Sequence, residues 1–223
     1  MSQVDVLSYM IPSASFSKSF HMASKQPGVN PEYVLSQPVT ATSGWIFYIK
    51  NPAGFPWDIN FYDNQYVYQC ITEGPQGWAN PTSYKVFRSG SWPSNHGGIV
   101  WSPRYLEPAP HTEWIQTPDS TYQTRLNGSL VATQNLAHVQ THVQGPLQLA
   151  IGDLGMVNAI VQTYQWGEGY ATQEVNYYAY GLGLVRWQEY RLEGGKYVLE
   201  IDNLFDQKRV GGTPALDFPN PLP

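Results

Sequence analysis

Four acidic side chains near the C-terminal end of the chain are of the type that glycoside hydrolysis uses. These residues are Glu174, Glu189, Glu200 and Asp202. Glycosidases place two carboxyl groups about 5.5 Å or about 6.5–9.5 Å apart, beside the bond that they cleave. Glu174 and Glu189 are nearly equidistant from a glycine-containing break at 180–183, so a simple hairpin would set them opposite each other. Whether they share a face depends on the length of the turn. The favoured interpretation is that these carboxylates lie on a solvated face and pair with arginines.

The same region combines aromatic and polar side chains in a way that suits carbohydrate recognition. Residues 174–180 and 186–191 are predicted to be two strands that carry such side chains on both faces. One face must form core, so the other presents Tyr or Trp rings beside amide and charged groups, which can stack on sugar rings and bind hydroxyls. The predicted ligand-binding residues are Tyr178, Tyr180, Arg186, Trp187, Gln188, Glu174, Trp92 and Trp101. Packing on a second sheet or on a partner subunit explains this face equally well.

Two histidines four residues apart, His138 and His142, form the first candidate for a metal site. On a helix they would share a face and could bind one ion, whereas on a strand they would lie about 13 Å apart. The surrounding segment, 134–148, fits either structure and lacks the glutamate of the H-E-x-x-H motif. The sequence therefore predicts two histidines on a polar face and no metal ion.

A second group of possible metal ligands lies in and after the segment 55–62. Asp58, Asn60, Asp63 and Asn64 bring oxygen atoms together, but the calcium-loop pattern is absent. The alternation of the segment places Asp58 and Asn60 on the solvated face of a strand, and Asp63-Asn64 is a turn pair. We expect no cofactor either, because the chain has no glycine-rich phosphate loop.

Composition argues against several classes of partner. The net charge is −5 and the 12 lysines and arginines are scattered, so neither nucleic acid nor an anionic membrane surface is expected as a partner. No apolar run approaches the ~20 residues of a membrane-spanning helix, so membrane insertion is not expected. The single cysteine, Cys70, excludes an intramolecular disulfide and is predicted to be a buried strand residue.

The chain is poor in charge and rich in aromatic residues. Charged residues make up 13% of the chain, about half of the usual share of about 25%, whereas there are 16 Tyr, 8 Trp and 8 Phe. This composition is typical of proteins that handle neutral polymers such as glycans, or of extracellular and virion β-proteins whose rings fill the core. We expect an extracellular or cell-surface location, with the cytoplasm as the alternative because the N-terminus shows no signal-peptide pattern.

Most of these candidate residues lie on predicted strands. Residues 155–202 form four segments separated by glycine-containing breaks, which predicts an antiparallel meander of four strands. Asn127-Gly128 predicts a two-residue hairpin turn, and the segments 55–62 and 65–72 predict another hairpin. Shorter strands are predicted at 33–35, 45–49, 84–87 and 99–101.

The predicted fold is all-β, a single antiparallel β-sandwich of jelly-roll type or a barrel, with the meander at its C-terminal end. We expect an extended N-terminal arm at 1–42, the β domain at 43–210 and a Pro-rich tail at 211–223. The leading functional hypothesis is non-catalytic binding of a glycan or another neutral polymer by the aromatic-polar face and the Trp-rich loops. One alternative is a polysaccharide lyase or glycoside hydrolase on the same scaffold. The other is a structural or virion-type assembly protein, a homo-oligomer held together through its extended termini.

Overall fold

A computed structural model describes most of the chain. The described residues are 3–11, 19–24, 32–36, 44–51, 55–73, 83–89, 98–107, 113–136 and 139–211. They form antiparallel strands almost throughout, with one short α-helix, α1, at Leu7–Met10 and two 3₁₀ turns, at Gly152–Leu154 and Glu168–Tyr170. The predicted all-β antiparallel class is therefore confirmed, and the choice between sandwich and barrel stays a prediction. None of the described helices is long and apolar enough to cross a membrane.

The strands divide between the two halves of the chain. In the first half they are β1 (Val4–Asp5), β2 (Ser19–Ser24), β3 (Glu32–Ser36), β4 (Trp45–Asn51), β5 (Phe55–Tyr62), β6 (Tyr66–Glu73), β7 (Ser83–Ser89), β8 (Ile99–Pro103) and β9 (Tyr105–Leu106). In the second half they are β10 (Ile115–Gln116), β11 (Ser120–Leu126), β12 (Ser129–Asn135), β13 (Val139–Ala150), β14 (Met156–Trp166), β15 (Thr172–Ala179), β16 (Gly183–Glu193) and β17 (Lys196–Gly211). The predicted strands listed above are thus confirmed.

One large sheet joins nearly all of these strands. Its order is β10-β13-β14-β15-β16-β17-β2-β3-β4-β5-β6-β7-β11-β12, and β8 pairs with β6 as an additional strand. The other edge of β6 is paired with β5, so β7 and β8 share its remaining edge. Strands β1 and β9 form a separate pair. The C-terminal strand β17 thereby lies between β16 and the N-terminal β2, in the middle of the sheet.

The predicted meander is β14 to β17, and its turns fall at the predicted glycines. Gly194 and Gly195, between β16 and β17, have φ values of 55° and 80°, which glycine adopts without steric cost. The predicted hairpin turn between β11 and β12 is confirmed in the same way. Asn127 and Gly128 have φ values of 51° and 82°, as a type I′ turn requires at both central residues.

The ambiguous segment around His142 is a strand, not a helix. Residues 139–150 form β13, which pairs with β14 over most of its length. Val139, Thr141 and Val143 are buried while the residues between them are partly exposed, which is the alternation of a half-buried strand. Because the segment pairs as a strand, the helical arrangement that would bring two histidines onto one metal ion does not form. His138 lies outside the described residues.

The main core gathers side chains from the meander, β13, β6 to β9 and α1. Val6 and Met10, on either side of the helical turn, are fully buried in it. The helix is tied to the meander where the backbone N–H of Gly181 donates to the carbonyl oxygen of Ser8, at 2.8 Å. Burial of each aliphatic side chain of this size contributes about 1.5–3 kcal/mol, which stabilises the contact of residues 6–10 with the meander.

A second, smaller core lies on the other side of β6. It is formed by Tyr68, Cys70, Ile71, Val86 and Val100. The prediction that Cys70 is a buried strand residue is confirmed, and burial raises the pKa of its thiol to about 12. A thiol with that pKa stays protonated at neutral pH and is a poor nucleophile.

The predicted solvated face of β5 is wrong at Asn60, which is only 1% exposed. Strand β5 lies inside the sheet, and its end is covered on both sides. Tyr62 packs against the main core and Phe61 against the smaller one. A register shift between Ile59 and Asn60 sets Asn60 opposite Gln69, which is also buried. The alternation rule assumed one covered face and an uninterrupted pleat, and neither holds here.

Candidate functional site

The pairing register assigns every residue of the meander to one of two faces, because residues directly opposite each other in neighbouring strands point to the same side. We call the face that carries the buried Tyr178 the inner face and the opposite one the outer face, although Tyr177 and Leu204 of the outer face also pack against the main core. Tyr178, which packs in the main core, is on the inner face. Its neighbour Tyr177 is opposite Arg186 on the outer face. The candidate site is built on this outer face.

At its centre is a group that we call the tyrosine–arginine cluster. It consists of Tyr177, Arg186, Gln188, Tyr190 and Asp202. Three neighbouring strands supply these residues, because β15 and β17 flank β16. Alternate positions of β16 carry the three central side chains, so a regular strand is enough to align them.

An ion pair anchors this cluster. The guanidinium of Arg186 donates two hydrogen bonds to the carboxylate of Asp202, from Nε to Oδ1 at 2.8 Å and from the terminal nitrogen to Oδ2 at 2.9 Å. Asp202 is buried and the side chain of Arg186 is 24% exposed. The hydrogen bonds to Asp202 raise the pKa of Arg186. A two-pronged pair of this kind fixes the plane of the guanidinium, which lies 5.4 Å from the centroid of the Tyr177 ring.

A single amide holds the two tyrosines. The hydroxyls of Tyr177 and Tyr190 both donate to Oε1 of Gln188, at 2.9 and 3.0 Å. Gln188 is buried, while both rings are partly exposed. Burial raises the pKa of each tyrosine, so both hydroxyls remain neutral donors at physiological pH. Two aromatic rings are therefore fixed in orientation with part of each ring exposed to water.

Polar side chains continue from this cluster across the sheet as a row of glutamines, the middle one of which, Gln165, is buried. Gln140 donates to Gln165 at 2.6 Å, and Gln165 donates to Gln173 at 2.7 Å. Gln173 is directly opposite Tyr190, so this row reaches the tyrosine–arginine cluster. Beside its far end the exposed Trp114 packs against His142, with ring centroids 5.4 Å apart. Rings, amides and a guanidinium thus follow one another over the outer face.

The inner face carries the carboxylate pair that the sequence predicted. Glu174 and Glu189 are directly opposite each other, so the predicted register is confirmed and the two share a face. The indole N–H of Trp187 donates to Glu174 at 2.9 Å. Burial raises the pKa of Glu189; Glu200 raises it further and Arg191 lowers it. Glu200 itself pairs with Arg191 at 3.1 Å, as predicted, whereas Asp202 pairs with Arg186 but is buried and not solvated.

The structure divides the predicted ligand-binding residues among different environments. Arg186 and Gln188 are on the outer face, whereas Glu174 and Trp187 are on the inner face. Tyr180 is 62% exposed in the turn after β15, where it contacts Tyr9 edge to face. Trp92 lies outside the described residues.

The two remaining predicted residues, Trp101 and Tyr178, are both 2% exposed. The indole N–H of Trp101 donates to the hydroxyl of Tyr178 at 3.0 Å, and its ring packs on Tyr164 in the main core. Because both rings are buried, they are not accessible to a ligand, and their contact joins β8 to the meander.

Three members of the tyrosine–arginine cluster were absent from the predicted set, namely Tyr177, Tyr190 and Asp202. The sequence does contain a signal for one of these three residues, Tyr190. On β16, Tyr190 has the same parity as Arg186 and Gln188, which were predicted, and strict alternation along the strand would have grouped the three. The set based on residue type alone combined residues from both faces.

The described residues contain no group of three or more His, Cys, Asp or Glu side chains that could hold a metal ion. Asp63, one of the predicted oxygen ligands, is engaged in the turn before β6. Its Oδ1 accepts the backbone N–H groups of Gln65 and Tyr66, and its Oδ2 accepts the hydroxyl of Tyr68.

No protein-family model, curated protein or solved structure matches this chain.

Proposed function

We propose that this chain binds a glycan without cleaving it, along the outer face of the meander. The observation that carries the proposal is the pair of partly exposed rings, Tyr177 and Tyr190, held in place by one buried amide. Sugar rings present C–H groups that stack on such aromatic faces, and their hydroxyls exchange hydrogen bonds with amides and guanidinium groups. Because the rings are fixed before binding, little side-chain entropy is lost when a ligand stacks on them.

The charge of the cluster favours a neutral or mildly charged glycan. The carboxylate of Asp202 neutralises Arg186 in a two-pronged pair, so the described cluster has no net charge. That carboxylate is buried and bonded, and it has no second carboxylate beside it in the tyrosine–arginine cluster. Hydrolysis of a glycoside generally needs two carboxyl groups, so the outer face fits binding better than cleavage. Glycans of this kind lie mainly outside cells, which agrees with the proposed extracellular or cell-surface location.

A glycan array followed by calorimetric titration tests the proposal. Truncation of a stacking ring at a binding centre typically costs about 2 kcal/mol or more, a factor of about 30. We therefore expect Tyr190→Ala to weaken binding of an array hit about thirtyfold, and Tyr190→Phe, which keeps the ring, to weaken it much less.

Tyr180→Ala is the matched control, because it removes an exposed tyrosine from a turn outside the tyrosine–arginine cluster. It should leave the affinity unchanged. An array without hits, or a loss of affinity in the control that equals the loss in Tyr190→Ala, would overturn the proposal.

The carboxylate pair on the inner face supports a second candidate, a glycoside hydrolase. Glu174 and Glu189 share a face in directly opposite positions, and burial raises the pKa of Glu189 as a general acid requires. A reducing-end assay on the array hits separates the two functions. New reducing ends that disappear in Glu189→Gln would favour the hydrolase, and binding without product favours the first proposal.

A further inference from the structure

The two edge strands of the large sheet differ in length and in exposure. One end is β10, a strand of only two residues, and short edge strands are a common way in which proteins prevent unwanted pairing. The other end is β12, which has seven residues, all of them exposed. Among the described strands, β12 pairs with β11 alone. A long exposed edge of this kind presents a row of backbone groups to a further strand.

Apart from one bulge at Val131, opposite Thr124 and Arg125 of β11, β12 lacks the features that protect edge strands. It reads Ser-Leu-Val-Ala-Thr-Gln-Asn, without a charged residue, a proline or a glycine. Leu130 and Val131 are 52% and 59% exposed, and Leu126 at the end of β11 is 39% exposed. Lysines, prolines or inward-pointing charges usually occupy such positions in monomeric sheets.

We propose that β12 pairs antiparallel with β12 of a second copy of this chain, so that the two sheets become continuous across a two-fold axis. A two-fold interface must be complementary to itself, and this strand meets that condition when Ala132 lies on the axis. Residues 133–135 of each copy then face residues 129–131 of the other, where Val131 forms a bulge, so each half of the pairing contains one register shift.

The absence of charge on β12 is compatible with a second copy as the occupant. Because β12 is uncharged, two copies bring no like charges together along the pairing. The small Ala132 leaves room at the centre for close approach of its own symmetry mate. Pairing of seven residues buries less than the roughly 1,600 Å² of a standard interface, so we expect a weak, concentration-dependent dimer.

Sedimentation velocity from low micromolar to near-millimolar protein tests the association. We expect a monomer–dimer equilibrium, with Val131→Lys weakening it at least about tenfold because a charge is introduced on the edge. Val198→Lys is the matched control, since Val198 is also an exposed strand residue, 43% exposed, and lies on β17 within the sheet. A chain that stays monomeric throughout, or a dimer that both lysine variants weaken equally, would overturn the proposal. If the chain is monomeric, the partner of the β12 edge would instead be a segment of another protein.

Cysteine cross-linking tests the register, because the one natural cysteine is buried and unreactive. Ala132→Cys would place two thiols on the axis, in residues whose Cα atoms are about 4.5–5.5 Å apart in an antiparallel pair, within disulfide range. Ser129→Cys places its two thiols about 20 Å apart along the strand. We expect a disulfide dimer from Ala132→Cys under mild oxidation and essentially none from Ser129→Cys. Equal cross-linking in both variants would contradict the pairing.

Discussion

The inner and outer faces of the meander use the same residue types for different purposes. On the inner face, Tyr178 is locked against Trp101, and buried amides form a chain in which Asn176 donates to Gln162 and Gln162 donates to Thr141, each at 2.9 Å. On the outer face, Tyr177 is partly exposed above a salt bridge. Tyr178 is thus buried in the main core, whereas the adjacent Tyr177 packs against that core, is partly exposed and belongs to the candidate site. The comparison teaches that strand parity, and not residue type, decides which side chains a ligand can meet.

The largest expected effect comes from exchanging each of the two adjacent tyrosines for alanine. Tyr178→Ala should lower the free energy of unfolding by about 3–5 kcal/mol, because it leaves a cavity in the core. Tyr177→Ala should lower it by only about 1–2 kcal/mol, because its ring is partly exposed already. Urea unfolding followed by circular dichroism measures both values. Equal losses would mean that the two faces are not divided as described.

The second largest effect is expected when Asp202 loses its ion-pair partner, Arg186. Arg186→Met should cost about 3 kcal/mol of unfolding free energy, because the carboxylate of Asp202 stays buried without its partner. Arg191→Met is a matched control, since its pair with Glu200 is far more exposed, 62% and 31% for the two side chains. We expect that control to change stability by less than about 1 kcal/mol. Similar losses in both variants would remove the distinction between an anchored and a surface ion pair.

A smaller effect is expected from the buried amide chain of the inner face. Asn176→Ala should destabilise the fold by about 1–3 kcal/mol, because it leaves Oε1 of the buried Gln162 without the donor shown here. Gln173→Ala removes an amide from the outer face, where water can take its place, and should change stability by about 0.5 kcal/mol or less. Thermal unfolding of the two variants compares their losses of stability. A larger loss in Gln173→Ala than in Asn176→Ala would contradict the expectation.

The smallest effect concerns the carboxylate pair and depends on pH. Burial raises the folded-state pKa of Glu189 above its unfolded value, so its contribution to stability is present at low pH and is lost as the pH rises through the folded pKa. Glu189→Gln should therefore have a higher Tm than the natural chain at pH 7, and the difference should shrink as the pH falls below about 4. The exposed Glu193→Gln is the control and should show no such trend. A Tm difference that grows on acidification would have the wrong sign.

Local patterns predicted much of the fold. The glycine-containing breaks located the turns of the meander, and equal distances from one break placed Glu174 opposite Glu189. Asn127-Gly128 identified its hairpin because few other residue pairs tolerate two positive φ values. In each case the information lies within a few neighbouring residues, which is why the sequence was sufficient.

The faces and the long-range pairings were not predictable in this way. Register shifts after Tyr177 and after Glu189 interrupt the alternation on which face assignment depends. The burial of Asn60 follows from cores on both sides of β5, which no local pattern reveals. The segment 134–148 fitted a helix as well as the strand β13, because a short apolar pattern does not distinguish helix from strand. The predicted ligand-binding residues therefore include two of the five members of the tyrosine–arginine cluster, Arg186 and Gln188.

The position of β17 between β16 and β2 has a consequence for how the chain folds. Translation produces β17 after every other described strand, yet this strand joins the N-terminal part of the sheet to the meander. The contact between Asn203 and Ser24 closes a loop that includes most of the chain, and contacts of such high sequence separation slow folding. Until β17 emerges from the ribosome, the facing edges of β16 and β2 lack the strand that pairs them. The nascent chain therefore passes through a stage in which two open edges are available to chaperones or to aggregation.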